Sequence, residues 1–426
     1  MSNDMKDIEC NLPDPSRITD HPSLLRSAIT HHPSLFDAAS PITDYPSLLC
    51  DSQQLSAVSR QHSVANSSPI TDHPSLLCDS QQLSAISRQH SVANPSQITH
   101  HPSLPHISVV VPTLNRPQLL DRCLGALFNQ TLPHGTYEIV VVDDGPNPMT
   151  ESVVRHWRRR CPKCVVQYRC SDRAQGPAAA RNIGWRAAGA AVIAFTDDDC
   201  IPASDWLESG LLAFSGHDIG AIWGRIVVPV SADPTDWERN VAGLERAPFA
   251  TANCFYRRPV LEAVGGFDER FTEAWREDSD LQFKVLARGV TIVHEPHAVV
   301  THPVRPAPWG ISIRLQRQNR FNALLYKKHP DLYGRFNPHE PPWSYYVIVA
   351  LALLGLFAAW SGVPSLAVLL GAGWLTMVAS FCIRRLRGAT HRPAHVIEMV
   401  VTSLIIPPYA VFWRLYGAVR YRVAFF

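Results

Sequence analysis

The chain has 426 residues, of which 46% are hydrophobic and only 18% are charged, and its formal net charge is +2. This length suggests two or three structural units, and the small net charge gives no broad basic field, so we expect no nucleic-acid partner. The excess of apolar over charged residues fits a globular protein with some membrane-embedded sequence.

A repeat dominates residues 1–104. Ile42–Asn66 and Ile70–Asn94 have almost the same sequence, and the second copy starts 28 residues after the first. A solenoid needs each repeat to bury an apolar face against the next, and this repeat has few apolar residues. We therefore expect residues 1–104 to be a low-complexity, disordered tail, with a short partner-binding array as the alternative.

Composition changes abruptly after the tail, and apolar strands then alternate with helices. In chain order, the predicted elements are a strand at Ile107–Val111, a helix at Pro117–Asn129, a strand at Tyr137–Val142, a helix at Pro177–Ala188 and a strand at Ala191–Phe195. This alternation predicts an α/β domain with a parallel sheet, which we assign to residues 105–340. In such sheets, ligands bind at the carboxyl ends of the strands.

Acidic residues follow these strands. Asp143 and Asp144 come after the second strand, and Asp197, Asp198 and Asp199 come after the third. Three adjacent carboxylates repel one another unless a cation compensates them, and Mg²⁺ and Mn²⁺ prefer oxygen ligands. The spacing of Asp197 and Asp199 allows both side chains to face one side of an extended segment. The triplet therefore predicts a divalent metal site, and an acidic turn with a helix cap is the alternative.

Five segments in a fixed order resemble glycosyltransferase family 2, in its membrane-anchored bacterial form. They are VVVPTLNR, EIVVVDDG, GPAAARNIG, AFTDDDCIP and a long stretch from ANCFYRRP to VLARG, and together they run from about Ile107 to His302. The resemblance implies the GT-A fold, which is Rossmann-like with a mostly parallel sheet. It also implies an inverting transferase that uses a nucleotide-diphosphate sugar, with Mn²⁺ or Mg²⁺ as cofactor.

The resemblance implies which residues bind the nucleotide sugar. Pro112 and Thr113 match the loop that lies over the base, and Asp144 matches the aspartate that contacts the base. Arg181 falls at the family's nucleotide-contacting arginine. Asp198, inside the acidic triplet, is expected on the same nucleotide-sugar side.

It likewise implies the residues of metal binding and catalysis. Asp197 and Asp199 match the D-x-D pair, with Asp199 as the closest metal ligand. His302 lies where some relatives supply a third metal ligand, and a surface histidine is the alternative. Asp278 matches the general base and is expected to open a helix that runs to Ala287, so a helix cap alone is the competing interpretation.

Residues 341–426 are predicted to form a membrane region. Tyr345–Trp360 and Ser365–Ile383 are continuously apolar, and the short break between them suits a hairpin of two spans at about 345–360 and 365–383. The arginines after the second span favour the cytoplasmic side, which places residues 105–340 there too, at the plasma (inner) membrane of a multi-pass protein. A third stretch, 396–413, contains Glu398 and two prolines, and predicts an interfacial or re-entrant helix.

The ten cysteines form no framework. Cys161 and Cys164 form one C-x-x-C, but the sequence offers neither a second matching pair nor an evidently well-placed histidine. A zinc site would need one or the other. We therefore expect ordinary reduced thiols.

The predicted activity is transfer of a sugar from a nucleotide-diphosphate sugar to a hydroxyl of a membrane-associated acceptor. A lipid-linked saccharide, a lipid or a surface glycan would be that acceptor, and the lipid bilayer is the remaining partner. One alternative is a catalytically inactive scaffold that interacts through its repeat tail. Another is a sugar nucleotidyltransferase, which would want a glycine-rich loop after the first strand; Val111–Arg116 lacks it.

Overall fold

The computed structural model describes residues 105–215, 218–337 and 341–426. The predictions made for the repeat tail, residues 1–104, lie outside the described residues.

A single mixed sheet forms the centre of the α/β domain, with eight strands among the described residues. The strands are β1 Ile107–Thr113, β2 Tyr137–Asp143, β3 Val165–Cys170, β4 Val192–Phe195, β5 Ile201–Pro202, β6 Ile219–Val227, β7 Cys254–Arg257 and β8 Thr291–Thr301. Their spatial order is β3-β2-β1-β4-β7-β6-β8-β5. Strands β3, β2, β1 and β4 are parallel, as are β6 and β8, whereas β7 is antiparallel to both β4 and β6. The predicted mostly parallel, GT-A-like α/β sheet is confirmed.

Helices cover both faces of this sheet. Those of the α/β domain are α1 Pro117–Leu127, α2 Pro148–Arg160, α3 Pro177–Ala187, α4 Trp206–Leu212, α5 Asp236–Ala242, α6 Arg258–Val264, α7 Glu277–Ala287, α8 Ile311–Leu315, α9 Arg320–Lys328 and α10 Pro330–Phe336. Helix α2 and strand β3 were absent from the sequence prediction. The highly polar composition of α2 explains the omission, because its three consecutive arginines hide a short apolar stripe.

Alternation along β1 decides which helix packs on which face. Val109 and Val111 belong to the same buried cluster as Leu124 of α1, whereas Val110 belongs to the cluster that contains Ala180 of α3. Successive side chains of a strand point to opposite faces, so one run of valines supplies both cores. The two helix layers therefore leave the carboxyl ends of β1, β2 and β4 as the open edge of the domain.

Three long apolar helices follow within the described part of the chain: α11 Trp343–Trp360, α12 Pro364–Leu386 and α13 Pro393–Tyr421. Each is long and apolar enough to cross a membrane. In the most apolar window, 11% of α11 and 17% of α12 are buried, against 39% of α13. Helix α13 therefore packs more extensively against the rest of the protein, and the predicted interfacial or re-entrant character of 396–413 stays a prediction.

A buried ion pair joins the α/β domain to the apolar helices. The fully buried Arg385, near the end of α12, donates to Asp236 Oδ2 of α5 at 3.0 Å. It also donates to Thr402 Oγ1 and Ser403 Oγ of α13, at 2.5 and 3.1 Å, and to Ser312 Oγ of α8 at 3.2 Å. Burial raises the pKa of Asp236, and the Arg385 charge opposes that rise. One guanidinium therefore fastens four helices.

Replacement of Asp236 by alanine should destabilise this junction strongly. Asp236→Ala leaves the Arg385 charge buried without its carboxylate, and breaking such a pair costs about 3–5 kcal/mol. Denaturant unfolding of the detergent-purified protein measures the loss. Asp233→Ala is the matched control, because Asp233 is exposed, pairs with the exposed Arg392 and accepts one hydrogen bond from Thr390 Oγ1 at 2.6 Å, so its loss should cost only about 1–2 kcal/mol. Equal losses in the two variants would contradict the role given to the buried pair.

Candidate active site

A cavity of about 840 Å³ opens at the carboxyl ends of β1, β2 and β4. Every site residue predicted from the sequence lines it: Pro112, Thr113, Asp144, Arg181, Asp197, Asp198, Asp199, Asp278 and His302. These residues come from positions spread over 190 residues of chain (302 − 112). The fold therefore brings together the whole set that the sequence motifs singled out.

The acidic triplet forms a turn directly after β4. The Cys200 N–H donates to the Asp197 carbonyl oxygen at 3.1 Å, which closes the turn. The sequence predicts an extended segment in which Asp197 and Asp199 face one side. That expectation is wrong, because the segment is a turn. Both side chains still line the cavity, and Asp198 between them lines it with a fully buried side chain.

Asp198 lies beneath the cavity and connects two strand ends. Its side chain is fully buried, accepts a hydrogen bond from Thr113 Oγ1 at 2.7 Å and forms an ion pair with Arg116 Nε at 3.2 Å. Burial raises the pKa of Asp198 to about 7, and the Arg116 charge opposes the rise. These contacts tie the end of β1 to the end of β4, so the central aspartate is held in a different environment from its neighbours.

Arg181 of α3 joins two acidic segments. Its guanidinium is buried and donates to Asp197 Oδ1 at 2.7 Å and to Glu277 Oε1 at 3.0 Å. Although burial would raise the pKa of Asp197, the charge and hydrogen bond of Arg181 hold it below its usual value. Burial and the neighbouring Asp278 raise the pKa of Glu277 to about 8. Arg181 therefore links the end of β4 to the start of α7 and also borders the cavity.

Asp144 holds the loop that leads into α3. Its two oxygens accept the backbone N–H groups of Gln175 and Gly176, each at 2.8 Å. Gly176 has φ +103°, and an added Cβ would lie 2.5 Å from the Thr272 carbonyl oxygen. Glycine is required at this position because both the backbone conformation and the space exclude a side chain.

Asp278 faces the cavity from the first turn of α7. Arg276 is the residue that precedes the helix, with φ +73°, and among the described residues its side chain makes no capping hydrogen bond. Asp278 is half-buried, and its Oδ1 accepts the Ser279 N–H at 2.7 Å. Burial raises the pKa of Asp278, while the Ser279 N–H and Arg181 oppose the rise. Asp278 is therefore not the N-cap residue of α7, and a carboxyl group of raised pKa faces the cavity.

His302 follows β8 and meets the triplet. Its Nε2 lies 3.5 Å from Asp199 Oδ1, and the ligand atoms of Asp199, Cys200 and His302 all lie within 4.8 Å of one another. Burial raises the pKa of the Cys200 thiol well above its usual value, and the charges of Asp197 and Asp199 raise it further. The thiol therefore stays protonated. Two ligands of one ion about 2.1 Å from each lie about 3 Å apart at a right angle. Asp199 and His302 therefore fit a small divalent cation such as Mn²⁺ or Mg²⁺, and Cys200 does not.

Two arginines that the sequence prediction missed complete the site. Arg305 Nε lies 2.9 Å from Asp199 Oδ2, and Arg116 Nη1 lies 3.6 Å from the same oxygen. Arg116 is the last residue of the motif VVVPTLNR, so the sequence could have identified it as a site residue. Arg305 belongs to no motif, and only the path of the chain after β8 brings it to the triplet. Both charges offset the acidic cluster and border the cavity.

A mostly parallel sheet with an acidic, arginine-bordered cavity at its carboxyl ends defines a transferase of the GT-A class. Residues 108–268 match the model described as Glycosyl transferase family 2, and residues 239–416 match Glycosyl transferase family group 2. Glycosyltransferase AglE of Haloferax volcanii is 30% identical over 211 residues, which cover 47% of this chain and 68% of the relative. The chain belongs to glycosyltransferase family 2, and the predicted enzyme class is confirmed.

Two more distant similarities were also found. Validoxylamine A glucosyltransferase of Streptomyces hygroscopicus subsp. limoneus is 28% identical over 289 residues, covering 59% of this chain and 61% of the relative. The chain thus spans about two thirds of the length of these relatives, 61% and 68%. Mannosyltransferase PcManGT from Pyrobaculum calidifontis, solved with GDP-Man and Mn²⁺, is 21% identical with a TM-score of 0.49, covering 73% of this chain and 90% of that one.

Substitution of Gly176 should disturb the loop held by Asp144. In Gly176→Ala the methyl group meets the Thr272 carbonyl and the backbone is strained, so we expect a stability loss of about 1–3 kcal/mol. Thermal unfolding measures it. Gly243→Ala is the control, because an added Cβ there meets nothing within 4 Å among the described residues. Equal unfolding temperatures for Gly176→Ala and the wild type would contradict the assigned strain.

Proposed function

We propose that the protein is a metal-dependent, inverting glycosyltransferase that moves a sugar from a nucleotide-diphosphate sugar to a hydroxyl of a membrane-associated acceptor. One observation carries this proposal: Asp278, with its raised pKa, lines the same cavity as the neighbouring pair of Asp199 and His302. A base for the acceptor and a metal site for the donor are the two parts that such a transfer needs.

The cavity suits the nucleotide end of the donor at one side. Pro112 and Thr113 border the place proposed for the base, beside Asp144. The oxygens of Asp144 already accept backbone N–H groups, but a carboxylate has about four acceptor positions and keeps capacity for a base N–H. Its buried position supports a contact of fixed geometry.

The diphosphate is proposed to lie against the arginines at the triplet. Arg116, Arg173 and Arg305 all line the cavity, and guanidinium groups bind phosphate oxygens in a fixed, bidentate geometry. Arg116 and Arg305 contact the carboxylates of the triplet. Binding of a cation to the triplet would release part of this attraction and leave both guanidinium groups available to the phosphates.

Asp199 and His302 are the proposed metal ligands, with Asp197 beside them. Asp197 already pairs with Arg181 at 2.7 Å, which makes it the weaker of the two aspartate ligands. When bound, Mn²⁺ or Mg²⁺ would stabilise the negative charge that develops on the departing diphosphate. Asp198 would hold the turn that presents Asp197 and Asp199, through its bond to Thr113.

Asp278 is the proposed general base. Its carboxylate would take the proton of the acceptor hydroxyl as that oxygen bonds to the anomeric carbon of the sugar. The bond between the anomeric carbon and the diphosphate oxygen breaks at the same time, and the nucleoside diphosphate carries away the electron pair. Attack from the face opposite to the leaving group inverts the anomeric centre. A raised carboxyl pKa favours this role, because it makes Asp278 a stronger proton acceptor.

The apolar helices support a membrane-associated acceptor. Helix α12 ends at the buried Arg385–Asp236 pair, so its arginine-rich end adjoins the α/β domain. Helix α13 also adjoins that domain, since Glu398 Oε1 accepts the Gly310 N–H at 2.8 Å. These contacts support a cytoplasmic catalytic domain at the plasma (inner) membrane of a multi-pass protein, and they agree with an interfacial position for α13.

Asp278→Asn should keep donor binding and lose transfer. The amide occupies the same space but takes no proton, so we expect the turnover to decrease by about 10²–10⁴-fold. Release of nucleoside diphosphate in the presence of membrane lipid extract measures turnover, and a thermal shift with the donor measures binding. Because the base must be deprotonated, the wild-type kcat/KM should decrease as the pH is lowered through the raised pKa of Asp278.

Asp331→Asn is the matched control for this substitution, because Asp331 is an exposed aspartate in the first turn of another helix, α10. It should retain wild-type turnover. Wild-type turnover in Asp278→Asn would instead refute the assignment of the base, while donor binding without turnover by any enzyme form would favour the inactive scaffold.

Removal of either proposed metal ligand should abolish the effect of manganese on stability. A ligand that binds only the native state raises the unfolding temperature, so a nucleoside diphosphate with Mn²⁺ should stabilise the wild type more than either does alone. Asp199→Ala should lose this increment, and His302→Ala should need at least about tenfold more Mn²⁺. His297→Ala, at an exposed position of β8, is the control. An unchanged manganese titration in Asp199→Ala would exclude the proposed site.

A further inference from the structure

A second cluster of metal-binding side chains lies at the opposite end of the sheet from the cavity. His134 precedes β2, Cys161 follows α2, and Cys164 immediately precedes β3. These positions are at the amino ends of β2 and β3, whereas the cavity opens at the carboxyl ends of the parallel strands. The cluster is therefore separate from the proposed active site.

The histidine contacts both cysteines. The structure joins Cys161 and Cys164 by a disulfide, and His134 Nδ1 lies 2.8 Å from Cys161 Sγ and 3.0 Å from Cys164 Sγ. The sequence had suggested ordinary thiols because no histidine was evidently well placed. The expectation of reduced thiols is wrong here because the two cysteines are joined, and His134, 27 residues before Cys161, reaches both sulfur atoms.

Each ligand-bearing segment is a hydrogen-bonded turn. The Thr136 N–H donates to the Pro133 carbonyl oxygen at 3.1 Å, and His134 lies within that turn. The Cys164 N–H donates to the Cys161 carbonyl oxygen, also at 3.1 Å. The three side chains therefore converge from turns whose backbone is already fixed, so binding an ion there would require little further ordering.

The chemistry of the three groups favours a metal ion over a hydrogen bond. Cysteine sulfur is a weak hydrogen-bond acceptor, so hydrogen bonding alone stabilises the contact of one histidine with two sulfur atoms only weakly. Two thiolates and a neutral imidazole are instead ligands that zinc binds strongly, and C-x-x-C is a common spacing of zinc ligands. A hard cation such as Mg²⁺ would bind two thiolates and an imidazole poorly, because it prefers oxygen ligands.

We infer that the chain, with Cys161 and Cys164 reduced, binds a zinc ion through these two cysteines and His134. Among the described residues, no further His, Cys, Asp or Glu joins the cluster, so a water molecule would complete the tetrahedron. His134 is exposed and Cys161 is partly exposed, which gives solvent access to that fourth position. Cys164 is buried and anchors the ion to the protein.

The ion would clamp an edge of the domain. Strand β3 lies at the end of the sheet and pairs only with β2 among the described strands. Zinc would fasten the turn before β2 to the turn before β3, so it would hold this edge strand in register. The ion would thus stabilise this edge of the fold, and its binding does not depend on the proposed function of the cavity.

Metal analysis of the purified full-length protein tests the inference. The protein is isolated in detergent with a phosphine reductant, without chelator, and with an affinity tag that contains neither histidine nor cysteine. Mass spectrometry of the metal content should give about one zinc ion per chain. Cys161→Ser and His134→Ala should each retain less than about a tenth of that zinc, because three ligands leave none to spare.

Two control variants separate this site from other sources of zinc. Cys170→Ser removes an exposed free cysteine close in sequence and should keep the full zinc content. Asp199→Ala removes the proposed ligand in the cavity and should also keep it. Loss of zinc in Asp199→Ala but not in Cys161→Ser would overturn the inference, because the ion would then belong to the cavity.

Cobalt provides a direct spectroscopic readout of thiolate ligation in folded protein. Reduced wild-type protein titrated with Co²⁺ should develop the near-ultraviolet absorption of a cobalt–thiolate bond, and zinc should displace it. Cys161→Ser, shown by circular dichroism to be folded, should have at most half of that absorption. Reduced wild-type protein that takes up neither zinc nor cobalt would refute the site.

Discussion

The α/β domain depends on how it compensates the negative charge gathered at the carboxyl ends of its strands. Asp197, Asp198, Asp199, Glu277 and Asp278 all border one cavity, and several of them are buried. Buried carboxylates are unfavourable unless a counter-charge accompanies them. The buried Arg181 meets that need where β4 and α7 come together, since it contacts both Asp197 and Glu277. The same ion pairs that allow these elements to pack also place Asp278 at the cavity.

This compensation divides the carboxylates into two groups. Asp198 is turned inward onto Thr113, and Asp144 is committed to the backbone before α3, so both maintain the shape of the cavity. Asp199 and Asp278 keep a face towards the cavity, and the groups near Asp199 are arginines on longer, partly exposed side chains. Asp198 is fully buried and only maintains geometry, whereas Asp144 keeps acceptor capacity on the cavity side and, like Asp199 and Asp278, remains available to a ligand.

A second buried guanidinium connects the domain to its apolar helices. Arg385 contacts Asp236 of the α/β domain and hydroxyl groups of α13. Helix α13 then runs closely along the domain, since an added Cβ at Gly417 would lie 2.4 Å from the Arg320 carbonyl oxygen. An ion pair and a close helix contact together resist independent movement of the two parts. These contacts therefore fix the position of the apolar helices relative to the cavity.

From the sequence alone, strands β1, β2 and β4, the order of the motifs and the chemical types in the cavity could be predicted, because apolar runs and strand-end carboxylates are local features. It predicted the site residues through their motifs, but its reason for pairing Asp197 with Asp199 was wrong, since the segment is a turn. Only the tertiary structure brought Arg305 to Asp199 and His134 to the C-x-x-C. Those contacts join chain segments far apart in sequence, and their side-chain directions follow from packing, which no local pattern records.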